Sequence, residues 1–162
     1  MTPRIETITE KKLVGKRMIM SYANYRIGEL WGSFMPRKKE IINPLTNDLI
    51  SLVVYKPSHF TDFQLTNEFE RWATVEVADF INVPADLETY ILSGGLYAVF
   101  DYKGMSSGVS AFFQYIFSEW LPNSDYRLAD RAHFEVLGEK YKNNDPLIRR
   151  RNLDTDNGKM IS

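Results

Sequence analysis

One order of patterns occurs twice along this chain, and it limits the fold more than any single motif: extended segment, aromatic-rich helix closed by proline, further strand. In the first copy, residues 3–20 carry Ile5, Thr7 and Thr9, then Leu13-Val14-Gly15 and Met18-Ile19-Met20. They predict a long extended segment bent near Glu10-Lys11-Lys12. Residues 21–35 place Tyr22, Tyr25, Leu30, Trp31, Phe34 and Met35 at helical spacing, and Pro36 stops that helix. Residues 49–55 predict a buried strand. Residues 69–77 predict another, with Trp72, Thr74 and Glu76 on one side and Ala73, Val75 and Val77 on the other.

After the connector Asn82-Val83-Pro84-Ala85-Asp86 the order restarts. Residues 88–91, the turn Ser93-Gly94-Gly95 and residues 96–102 predict strand, turn and strand. Ser106 or Ser107 caps a helix running through Phe112, Phe113, Tyr115, Ile116, Phe117 and Trp120 to Leu121-Pro122. Residues 132–137 predict the next strand. Ile5-Glu6-Thr7 answers Leu87-Glu88-Thr89, and residues 30–36 answer 116–122. Val75-Glu76-Val77 answers Phe134-Glu135-Val136. The expectation is an α+β fold: a duplicated β-α-β-β unit with pseudo-twofold symmetry, an antiparallel sheet, both helices on one side and a ligand groove between the repeats. Residues 1–146 form the single domain, with repeats at 3–81 and 86–146. Residues 147–162 are an atypical tail whose three consecutive arginines and poor alternation make a weak strand, so the tail is expected to be solvated.

Composition narrows the chemistry. With 20 Lys+Arg against 21 Asp+Glu, the net charge of −1 lacks the footprint of a dedicated nucleic-acid binder. There is no cysteine, which excludes disulfides, thiol nucleophiles and thiolate metal sites. Two histidines, His59 and His133, do not make a multi-histidine metal site, and no metal or cofactor is expected. No apolar run approaches a membrane span and the N-terminus carries no secretory signal, so the expected location is cytoplasmic, without membrane contact. The unusual feature is the ring content, 3 Trp, 9 Tyr and 10 Phe. Rings fill cores, but with a few carboxylates they also hold flat or cationic ligands.

Glu76 and Glu135 are the carboxylates of interest. Each lies on the strand face away from its apolar neighbours, so if those neighbours pack under the helices, both glutamates look into the inter-repeat groove; otherwise each faces solvent. Trp72 shares a face with Glu76. Trp72, Tyr97 and Trp120 are either pocket lining or core. Phe100 and Trp31 complete the ligand-binding candidates, whereas Phe112, Phe113 and Phe117 read as core. His133 reads as a surface or structural histidine. No residue is placed as a nucleophile, and if the protein is an enzyme the catalytic group is Glu135. The glycine-containing stretches match no phosphate-binding fingerprint.

From about Arg4 to Pro146 the chain resembles the GyrI-like small-molecule-binding family, which includes effector-binding domains of AraC-type regulators. The residues that carry this likeness are Trp72-Ala73-Thr74-Val75-Glu76-Val77, Leu96-Tyr97-Ala98-Val99-Phe100, Trp120-Leu121-Pro122 and His133-Phe134-Glu135-Val136. The resemblance implies binding of amphipathic, cationic, aromatic small molecules, by sequestration or as an effector sensor for multidrug response. It also implies two alternatives. One is a hydrolase of strained cyclic compounds using a pocket glutamate. The other is a gyrase-inhibitor-like interaction, with a frayed strand edge after Leu137 offered to a partner. A DNA-binding regulator or gyrase is then the protein partner. The chain itself is expected not to bind DNA, since no helix-turn-helix precedes the domain, and to be a monomer or weak dimer.

In that family the last strand typically reads Glu-Glu-Glu-Ile-Trp-Ile-Pro-Ile. Residues 149–156 can be encoded AGA AGA AGA AAT TTG GAT ACC GAT, and read one base later these codons, with the first base of Asn157, give that ending. The tail therefore reads as frame-shifted from its ancestor, leaving the Glu135 strand without an edge partner. Sequencing the coding DNA is expected to return those codons; different Arg or Asn codons remove the support.

Overall fold

The first extended segment breaks beside its charges. In a computed structural model that describes residues 3–59, 61–104, 109–128, 132–138 and 147–156, β1 (Arg4–Ile8) ends before Thr9-Glu10 and β2 (Lys11–Met20) follows. Helix α1 (Ile27–Phe34) starts later than its ring spacing predicts, because residues 21–26 form turns in which the Asn24 N–H bonds the Ser21 hydroxyl. A 3-10 segment (Met35–Glu40) continues α1, with Pro36 in its first turn, where the missing N–H breaks no ladder. Strands β3 (Leu49–Tyr55) and β4 (Phe69–Val77) follow as predicted, then β5 (Glu88–Leu92) and β6 (Gly95–Gly104). Helix α2 (Val109–Tyr115) passes into a π-helical turn (Ile116–Trp120) and a last turn (Leu121–Asn123). The chain closes with β7 (Arg127–Leu128), β8 (His133–Leu137) and β9 (Leu147–Asp156). The capping serines Ser106 and Ser107 and the side chain of Phe113 lie outside the described residues.

The sheet is antiparallel, in the order β1-β6-β9-β8-β3-β4-β2-β5, with β7 paired to β9 alone. From the central β8–β3 pair the order runs outward through β9 and β6 on one side and β4 and β2 on the other. Two expectations change here. Glu76 stands on β4, which by sheet position answers β9, so its local likeness to Glu135 on β8 is not a likeness of place. The backbone over residues 147–156 is a paired strand rather than a free tail: β9 pairs with β6 from Tyr97↔Asp154 to Gly104↔Leu147, and with β8 from Phe134↔Asn152 to Leu137↔Arg149. Backbone N–H and C=O groups of two flanking strands demand partners whatever the side chains are. Strand β8 therefore has neighbours on both sides, and the frayed edge expected after Leu137 is occupied.

Facing follows from register, because antiparallel partners share a side of the sheet. One row runs Phe100, Glu135, Ser51, Ala73 and Lys16 through β6, β8, β3, β4 and β2, with the backbone of residue 151 on β9 pairing between the first two. Ala73 belongs to the apolar cluster under α1, with Val14, Val53, Val75, Leu30 and Phe34. Phe100 belongs to the cluster under α2, with Ala98, Phe112 and Ile116. Both helices thus cover one face, as expected. The other face buries Leu13, Ile50, Leu52, Trp72, Leu92, Tyr97, Val99 and Phe134 against one another. That cluster joins both ends of the strand order, so the sheet curls around it.

The curl needs close backbone approach at Gly15, which pairs with Thr74 and Glu88 on either side. A Cβ there would sit 1.9 Å from the Ala73 carbonyl oxygen. Gly15→Ala should therefore lower stability by about 3 kcal/mol or more, the upper end of overpacking costs, read as a fall in the urea midpoint.

His59 is a buried titratable group that ties stability to pH. It is 2% exposed, ringed by Tyr55 at 4.5 Å, Phe63 at 5.6 Å and Phe69 at 5.9 Å between centroids. Burial penalises the charged imidazolium and lowers its pKa from 6.5. The unfolded chain then binds the proton more readily, so this contribution is complete above pH 6.5 and is lost as pH falls below it. Thermal denaturation between pH 7.5 and 5.5 should show a smaller drop in Tm for His59→Phe than for the parent chain.

Candidate functional site

Glu135 sits on the helix-bearing face, between the two helices. Its neighbours Phe134 and Val136 point into the opposite cluster, which turns the carboxylate toward the helices. Helix α2 lies over β6 and α1 over β2 and β4, with β9, β8 and β3 between. At ~4.8 Å per strand the helix axes stand roughly 20 Å apart, so a strip of sheet about 10 Å wide, the slot, lies between the helix surfaces. Its floor is polar and buried: Glu135 is 4% exposed, Ser51 5% and His133 2%. Ser51 is the ladder partner of Glu135, and Arg71, opposite Val53, donates from Nη2 to the Ser51 hydroxyl at 2.7 Å. The slot runs on toward Tyr55, whose ring lies 6.2 Å from that of His133 and whose hydroxyl meets that of Tyr22 at 2.9 Å.

The structure divides the sequence-predicted residues between two faces. Glu135, Phe100, Trp120 and Trp31 belong to the helix-bearing side. Phe100 is 1% exposed and holds Trp120 edge-on at 5.0 Å, and Trp120 also stacks on Tyr126 at 6.3 Å. Trp31 packs against the α1 cluster, edge-on to Phe34 at 6.0 Å. Glu76, Trp72 and Tyr97 lie on the other side. Glu76 pairs with the Lys11 ammonium at 3.5 Å. Trp72 donates its indole N–H to Glu70 at 2.5 Å, beside the Arg17–Glu70 and Arg17–Glu88 ion pairs. Tyr97 is fully buried, donates its hydroxyl to the Ser93 carbonyl at 2.9 Å and meets Phe134 edge-on. A cavity of about 230 Å³ on that side is lined by Val54, Tyr55, Tyr90, Leu92, Ser93, Tyr97 and Ala132.

The expectation that both glutamates share one groove therefore fails. On β4 the valines pack under a helix and Glu76 faces away; on β8 the apolar neighbours pack on the far side and Glu135 faces the helices. His133 is buried, which rules out the surface alternative for it. Sequence reasoning missed Ser51, Arg71 and Tyr55. A serine inside the apolar run Leu49–Tyr55 was the available signal for the first, since a buried hydroxyl needs a partner. Among the described residues no group of three or more His, Asp or Glu side chains is placed to hold a metal ion, and no helix is long and apolar enough to cross a membrane.

No curated protein sequence matches the chain. Solved structures do. SAV2435 bound to tetraphenylphosphonium aligns with TM-score 0.76 at 12% identity, over 96% of this chain and 94% of that one. The EcmrR C-terminal domain aligns with TM-score 0.69 at 13% identity, over 96% and 97%. In the EcmrR–DNA complex this chain spans 57% of the EcmrR chain, with TM-score 0.72 at 12% identity. A hydrolase from Listeria innocua aligns more distantly, with TM-score 0.55 at 10% identity over 96% and 92%. These likenesses show the fold. The family is shown by sequence: the model of the GyrI-like small molecule binding domain matches residues 1–148, and the chain belongs to that family.

Proposed function

We propose that this chain binds amphipathic, cationic aromatic small molecules in the slot between its helices, with Glu135 as the charge partner and Phe100, Trp120 and Trp31 as the surrounding rings. The observation that carries the reading is the burial of Glu135 at 4% exposure on a floor flanked by aromatic clusters under both helices. A carboxylate withdrawn from water attracts a weakly hydrated organic cation far more than it attracts a small, strongly hydrated one, and ring faces add cation–π attraction. The tetraphenylphosphonium held by SAV2435 is a ligand of that class on the same fold. The chain acts by sequestering such compounds or by sensing them; sensing through DNA, as EcmrR's complex suggests, calls for a DNA-binding partner.

A second reading has one specific support. Glu135 and His133 stand two residues apart on one face, both buried, and a hydrolase shares the fold. Glu135 would then serve as general acid or base toward water at the same slot. Binding that survives in Glu135→Gln while turnover of a strained cyclic substrate disappears would favour it.

Titration with tetraphenylphosphonium, followed by tryptophan fluorescence or calorimetry, tests the leading reading. Glu135→Gln should weaken binding by at least about tenfold, because the cation loses a buried opposite charge. Glu76→Gln, on the other face, should change affinity by less than about twofold. Equal affinity in Glu135→Gln and the parent removes Glu135 from the role.

A further inference from the structure

We propose that Arg71 is a second binding residue of the Glu135 slot, one that selects ligands carrying an anionic group beside their cationic centre. The inference rests on the reading of Glu135 as the cation-binding group. Arg71 lies on β4 in the alternation that places Ala73 and Val75 under α1, opposite Val53, and Val53 is opposite His133. Its Nη2 donates to the Ser51 hydroxyl at 2.7 Å, and Ser51 is the ladder partner of Glu135. Guanidinium and carboxylate therefore flank one buried hydroxyl on one floor. The Nε–H of Arg71 is buried and has no hydrogen-bond partner among the described residues.

Each fact bears on selectivity. A guanidinium stays charged and offers five donors in a rigid fork shaped for a carboxylate. Ser51 takes one of them, and the buried Nε–H has no acceptor among the described residues. A ligand that is only cationic gains Glu135 but brings its charge close to Arg71. A zwitterionic aromatic ligand sets its cation on Glu135 and its carboxylate on Arg71, and satisfies that N–H. The cost of an unmade buried hydrogen bond then falls on the ligand lacking the acceptor. The sequence gives no hint of this, because Arg71 reads as one more polar residue in an alternating strand.

Rhodamine B and its ethyl ester test the inference: they share one flat cation and differ in a single carboxylate. Fluorescence anisotropy at pH 7.5 should show the acid binding the parent chain at least about tenfold more tightly than the ester. Arg71→Met, folded by circular dichroism, should bring the two affinities within about twofold, chiefly by weakening the acid. If Arg71→Met does not fold, Arg71→Lys, which keeps the charge and loses the fork, should reduce the preference at least about threefold. Equal affinities in the parent chain, or a preference that survives these substitutions unchanged, overturns the role of Arg71. Glu135→Gln separates the two readings. If the two dyes bind the parent chain equally and both weaken in that variant, Glu135 keeps its role and only the Arg71 inference has failed. If neither dye binds the parent chain, both fall together.

Discussion

The register of β8 on β3 is the constraint on which the site depends. Ser51 faces Glu135 and Leu52 faces Phe134, so alternate residues of β8 go to opposite sides of the sheet. A slip of one residue would turn Phe134 and Val136 toward the helices and drive Glu135 into the cluster of Leu52, Trp72 and Tyr97. That cluster holds the register: Leu52 is fully buried, Phe134 is 1% exposed, and Tyr97 stands edge-on to Phe134. Apolar packing on one face thus positions a carboxylate on the other.

The cost of that carboxylate explains its surroundings. An ionised group out of water is tolerated when hydrogen bonds and opposite charge surround it, and apolar replacement of such groups is often neutral or stabilising. Stability alone gives little reason to place Glu135, Ser51 and Arg71 on one buried floor. Ser51 is suited to the middle position, since a hydroxyl accepts from a guanidinium and still has a proton to donate. That floor carries both signs of charge, and its geometry comes from the strands rather than from loops.

Much of the fold was legible because hydrophobic period is a local property. The strands at 49–55 and 69–77 and the antiparallel sheet with helices on one side follow from alternation and ring spacing. The site was legible only in part, because facing is not local. Val-Glu-Val on β4 and Phe-Glu-Val on β8 look alike, yet their neighbouring strands send the glutamates to opposite sides. Trp72 and Tyr97 belong to the face that folds the sheet, and their polar atoms are held by Glu70 and by the Ser93 carbonyl. A high ring count marked core and slot together, and register alone separates them.

The tail shows the opposite limit, a strand formed without a strand's pattern. Strands β6 and β8 each present a row of backbone donors and acceptors to the space between them, and the next extended chain fills it whatever its side chains. The family match stops at residue 148, one residue before the run Arg149-Arg150-Arg151. Pairing is a demand of the neighbours, so a place in the sheet does not require an alternating pattern of side chains.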